Sequence, residues 1–70
     1  MIKYDKLWRL MEEKGISKNM LHVKYNVSKA QLYRLRYNQN VSTNTLDRLC
    51  NLLECDIGDI AEHIPNDNVF

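Results

Sequence analysis

The 70-residue sequence predicts an all-α domain of five short helices, and three observations carry that prediction. A helix-start pattern (a β-branched residue, Ser, any three residues, then Leu) occurs three times, from Ile16-Ser17 to Leu21, Val27-Ser28 to Leu32 and Val41-Ser42 to Leu46. Apolar residues recur at i, i+3, i+4 and i+7 in the first, fourth and last segments. Alternation of the strand type never runs for a useful length.

Tyr4, Leu7, Trp8 and Met11 lay an apolar stripe along the first helix, widened by Leu10, and Gly15 supplies the left-handed residue that ends it. Ser17 caps a short second helix, with Ile16 placed to pack on Leu21 as a hydrophobic staple. Val27, Ser28 and Leu32 repeat that arrangement for the third helix, where Gln31 is expected to complete a capping box with Ser28. Ser42 opens a fourth helix with a stripe of Leu46, Leu49, Cys50 and Leu53. Ile57, Ile60, Ala61 and Ile64 predict a fifth, stopped by Pro65. The expected organisation is one domain over residues 1–64 and a short tail over residues 65–70.

Asn26 and Asn38 stand where the second and third helices end, and asparagine is the residue besides glycine that best tolerates positive φ. Only Tyr25 to Val27 separate helices two and three. So short a link makes them cross steeply, the helix-turn-helix geometry.

A chain of this size supports one small core, so any function sits on one face. No apolar run approaches the roughly 20 residues that span a bilayer, and MIKYDKLWRL lacks the uninterrupted apolar region of a signal peptide. The expected setting is the cytoplasm, with Cys50 and Cys55 as reduced thiols. The net charge of +1 conceals strong segregation. Lys14 to Leu46 contains six cations (Lys14, Lys18, Lys24, Lys29, Arg34, Arg36) and no acid, leaving four cations and nine acids elsewhere, a net of −5. An acid-free basic block inside a folded domain suits a polyanionic partner.

With Leu32 and Leu35 taken as the buried direction, a 100° step per residue turns Ala30, Tyr33, Arg34 and Tyr37 outward, flanked by Lys29, Gln31 and Arg36. These side chains carry the donors and stacking faces that meet base edges and phosphates, and Ala30 permits close approach.

The run from Leu7 to Ile64, 58 of the 70 residues, resembles the Cro/CI-type (XRE-like) helix-turn-helix family of small bacterial and phage transcriptional regulators. KGIS at 14–17, NVSKAQLYRL at 26–35 and NQNVSTNTLDRLCNLLECDIGDI at 38–60 carry the likeness. It implies a five-helix, lambda-repressor-like DNA-binding domain whose recognition helix, residues 29–37, enters the major groove. It also implies that Ser28, Lys29, Ala30, Tyr33 and Arg34 face base edges, while Ser17, Lys18, Asn38, Gln39 and Asn40 lie along phosphates, where the outward Tyr37 joins them. Three departures from the family pattern stand out. His22 replaces a small alanine at a close helix crossing, so it must splay outward or open the crossing. Asn26 and Asn38 replace glycines. Arg36 replaces a glutamate and is left with Glu12 or a phosphate as partner.

Ser17, Ser28 and Ser42 are accounted for as caps, and no acid–His pair near them suggests an activated nucleophile, so no enzyme is expected. His22, Cys50 and Cys55 match no zinc spacing, and neither metal, cofactor nor small-molecule ligand is expected. The function read from the sequence is a sequence-specific DNA-binding transcriptional regulator, of the repressor kind, from a bacterium, phage or mobile element. Its partners are double-stranded DNA and a second copy of the chain, pairing through residues 57–70 with Ile64, Val69 and Phe70 as apolar contacts. The alternative is a protein-interaction module, antitoxin-like or regulatory, offering the same basic face to an acidic protein.

Overall fold

The computed structural model describes residues 1–65. Helices α1 (Asp5–Glu13), α2 (Lys18–Val23), α3 (Lys29–Arg36) and α4 (Thr43–Leu53) follow one another and lead into a single 3-10 turn at Ile57–Asp59. Two two-residue strands, β1 (Ile2–Lys3) and β2 (Glu62–His63), pair antiparallel, with Ile2 opposite His63 and Lys3 opposite Glu62. No described helix is long and apolar enough to cross a membrane.

The three repeated serines all cap. Ser17 Oγ accepts from the Met20 N–H at 3.1 Å, Ser28 Oγ from Gln31 at 3.2 Å and Ser42 Oγ from Thr45 at 3.1 Å. Each such cap stabilises its helix by about 1 kcal/mol. The helix ends are equally local. Gly15, Asn38 and Glu54 take left-handed backbone at φ 70°, 55° and 52°, as does Asn26 in the turn at 59°. Behind the first three, the next N–H reaches back five residues: Ile16 to Met11, Gln39 to Arg34 and Cys55 to Cys50. That bond closes the last turn in the Schellman manner. Glycine and asparagine signal it in advance, whereas Glu54 does not.

Leu7, Leu21, Leu35, Leu49, Leu53 and Ile60 are fully buried, so every α-helix and the C-terminal segment contribute to one core. Helix α3 contributes little, with Leu35 buried and Leu32 half-buried. Most of its surface is therefore free. On α4 the buried line is Thr45, Leu49 and Leu53, with Leu46 and Cys50 half-buried, a small rotation from the expected stripe.

The fifth helix is the main correction. Only one 3-10 turn forms at Ile57–Asp59, closed by a capping box in which the Asp56 N–H donates to the Asp59 carboxylate at 3.0 Å. Ile60 is fully buried, but Ile57 is 49% exposed, so no continuous stripe faces the core. The chain then extends because the N-terminus supplies its backbone partners. The Met1 ammonium donates to the Ile64 carbonyl, and the Ile64 N–H to the Met1 carbonyl, each at 2.8 Å. Ile64 thus belongs to this strand clasp, and Val69 and Phe70 lie outside the described residues.

Candidate nucleic-acid interface

Helix α3 is held by its ends and one flank, leaving the opposite side open. At its start, the Ser28 hydroxyl caps the Gln31 N–H. The Gln31 side chain does not turn back to complete the expected capping box. Its Oε1 instead accepts from the Thr45 hydroxyl at 3.4 Å, and Thr45 Oγ1 lies 2.9 Å from Ser42 Oγ. Thr45 is only 6% exposed, and this polar network ties α3 to α4 while satisfying a buried hydroxyl.

The turn before α3 is gripped from behind. Arg48 on α4 donates through Nη2 to the Tyr25 carbonyl at 2.9 Å and the Asn26 carbonyl at 3.2 Å. The same turn receives His22, whose Nδ1 lies 2.9 Å from the Val27 carbonyl. A carbonyl can only accept, so Nδ1 carries the hydrogen. His22 is half-buried against the turn, which is how a large ring is accommodated at the α2–α3 crossing.

At the other end of α3, the Asn38 Oδ1 accepts from the Tyr4 backbone N–H at 3.0 Å, joining the end of the third helix to the start of the first. The Nδ2 of Asn38 is left free to donate outward. The hydroxyls of Ser17 and Ser28 accept from their capped N–H groups and keep their own O–H free to donate.

The free side of α3 carries the residues singled out in the sequence. Ser28, Lys29, Ala30, Tyr33, Arg34 and Tyr37 are all exposed, with Tyr33 and Tyr37 at 57% and 54%. The two tyrosine rings contact each other, centroids 4.7 Å apart and planes tilted by 51°. Two clefts flank them. One, of about 260 Å³, is lined by Lys18, Lys29, Leu32, Tyr33 and Arg36. The other brings together Arg34, Gln39 and Asn40. Both lie in the acid-free segment, so their potential is undiluted by carboxylates of the same elements.

Lys18 rests 4.7 Å over the Trp8 ring, and the Arg36 guanidinium lies 5.7 Å from the Tyr37 ring. Arg36 makes no ion pair with Glu12; the ion pair among the described residues joins Lys3 and Asp5 at 3.9 Å. Sequence reasoning did not find Arg48, Thr45 and Trp8 as the residues that position this face. Thr45 carried a signal, because it shares an i, i+4, i+8 line with Leu49 and Leu53. Arg48 carried none, since its partners lie on another helix's turn.

Residues 6–66 match the model of the Cro/C1-type HTH DNA-binding domain. The fold superposes on the crystal structure of the transcriptional regulator VanUg, form II, with a TM-score of 0.85 and 38% sequence identity, covering 93% of this chain and 87% of that one. No protein of curated function matches the chain.

Proposed function

The chain belongs to the Cro/C1-type helix-turn-helix DNA-binding family, and from that premise we propose that it is a sequence-specific transcriptional regulator, a repressor of bacterial, phage or mobile-element origin. The observation that carries the proposal is the open side of α3, which offers Ala30, Tyr33 and Arg34 together within a segment free of acids. The helix enters the major groove with that side leading. Arg34 pairs its fork with a guanine edge, Ala30 and Tyr33 make apolar contact with thymine methyls, and Ser28 and Lys29 lie at the entry to the groove. Lys18, Ser17 and Tyr37, with Asn38, Gln39 and Asn40 of the following loop, lie along the phosphates and set register. Repression follows from occupancy, because a small domain filling the groove excludes other proteins from the same duplex.

One short helix reads few base pairs, so a second copy on an adjoining half-site supplies the remaining length of readout. Selection of bound sequences from a random duplex pool tests both parts. The expected result is an enriched inverted repeat with half-sites about one helical turn apart, roughly 10 base pairs. A single unrepeated motif overturns the pairing. No enriched motif overturns sequence-specific regulation and favours the protein-interaction module.

A further inference from the structure

Arg36 has no role in the reading above, yet its surroundings are distinctive. Lys29, Leu32 and Arg36 fall at i, i+3 and i+7 on α3, which aligns them along the flank that faces α2. Lys18, the first residue of α2, borders the same cleft of about 260 Å³. Three cations therefore surround one small space, and no carboxylate lines it.

Such a grouping is unfavourable without an anion, because like charges lining one cleft repel and each ordered side chain also loses rotamer freedom. Nothing within the segment relieves it, since no Asp or Glu occurs between Lys14 and Leu46. Two of the cations are nonetheless held in place. The Trp8 ring lies under Lys18 and the Tyr37 ring beside Arg36. An aromatic face orients a cation without neutralising it, so the charge remains available to a ligand. Arg36 adds a planar fork suited to two oxygens of one phosphate, and the lysines add point charges.

We propose that Lys18, Lys29 and Arg36 form a phosphate cradle that takes one phosphodiester of the duplex backbone at the α2 flank of the recognition helix, so that Lys29 serves the backbone and not a base edge. The inference rests on the DNA-binding reading and refines it. Base readout is then left to Ala30, Tyr33 and Arg34, while the cradle sets the depth and register of α3.

The test uses the full chain and its Arg36→Gln, Lys29→Gln and Arg36→Lys variants. Affinity for the selected operator and for a random duplex is measured against salt, with thermal melting beside it. Each glutamine variant is expected to lower affinity for both duplexes by the same factor, roughly 5- to 10-fold near 0.1 M salt, and to reduce the log–log salt slope by about one. The Lys29→Gln/Arg36→Gln double variant also loses only about one, because the two side chains share a single phosphodiester; Arg36→Lys recovers the slope, and melting does not fall because both side chains are exposed. An unchanged slope in Arg36→Gln overturns the cradle, and an altered operator-to-random ratio in Lys29→Gln returns that residue to base reading. Inorganic tripolyphosphate, added as a competitor, separates the two levels of inference. A wild-type chain that binds tripolyphosphate but no duplex overturns the DNA reading and makes the cleft a small-anion site, whereas duplex binding with an intact slope in the variants overturns the cradle alone.

Discussion

Asn38 unites two local requirements in one residue, and its replacement separates them. Its backbone sits at φ 55°, and its Oδ1 accepts the part-buried Tyr4 N–H at 3.0 Å. An ordinary side chain in left-handed backbone costs about 1 kcal/mol. Leaving the Tyr4 donor unpaired costs about 1 kcal/mol more. Asn38→Ala incurs both and should destabilise by roughly 2 kcal/mol, a fall in Tm of about 10 °C for a domain of this length. Asn38→Gly relieves the backbone but loses the acceptor, so its cost should be about half. Asn38→Asp retains an acceptor oxygen near the positive start of α1 and should melt within about 0.5 kcal/mol of the parent. It should still bind duplex DNA less well, because it places a carboxylate at a proposed phosphate contact. Urea and thermal unfolding of the three variants measure the first effect, and duplex titration the second. Equal losses for Ala and Gly would show that the left-handed backbone carries no cost here, and a loss in Asp as large as in Ala would refute the Asn38–Tyr4 link.

Arg34→Ala should weaken operator binding by about 1–3 kcal/mol and relax preference at one or two base pairs, while Lys18→Ala weakens all duplexes alike and lowers the salt slope by about one; identical sequence-blind effects would misplace the reading helix. Ser28→Ala removes the α3 cap and should cost about 1 kcal/mol in unfolding free energy, and an unchanged melt would mean that α3 is not held by this hydroxyl. Arg48→Met releases the Tyr25 and Asn26 carbonyls and should reduce the ratio of operator to random binding without altering the salt slope, since Arg48 orients the turn and is not among the proposed phosphate contacts; a reduced slope would make it a DNA contact. Burial raises the Tyr4 phenol above its ordinary value near 10, so above that pH the unfolded chain ionises first and stability falls as pH rises. Tyr4→Phe should abolish that component of the alkaline loss, as read from unfolding midpoints against pH. Cys55, raised by burial and then by Cys50, adds a loss of the same sign beginning at lower pH.

Much of this domain could be read along the chain because its causes are local. A serine cap acts on an N–H three residues away, and a glycine or asparagine ends a helix through its own φ, so the first four helices and the tight α2–α3 turn followed from spacing alone. The outward side of α3 followed from the 100° step with Leu32 and Leu35 taken as the buried direction, and Leu35 is fully buried. What failed was decided at a distance. The spacing of Ile57, Ile60, Ala61 and Ile64 suits a helix, but backbone bonds to Met1, 63 residues earlier, draw the segment into a strand after one turn. Gln31 had a local capping partner in Ser28 and took Thr45 on α4 instead. Asn38 was read as a positive-φ helix end and a neighbour of DNA, and its carboxamide oxygen also binds the Tyr4 N–H 34 residues away. Periodicity and caps determine which stretches coil and which side is apolar. They do not determine which polar groups find each other across the core, because that choice depends on where packing brings separate helices together, and packing alone gathered Lys18, Lys29 and Arg36 around one cleft.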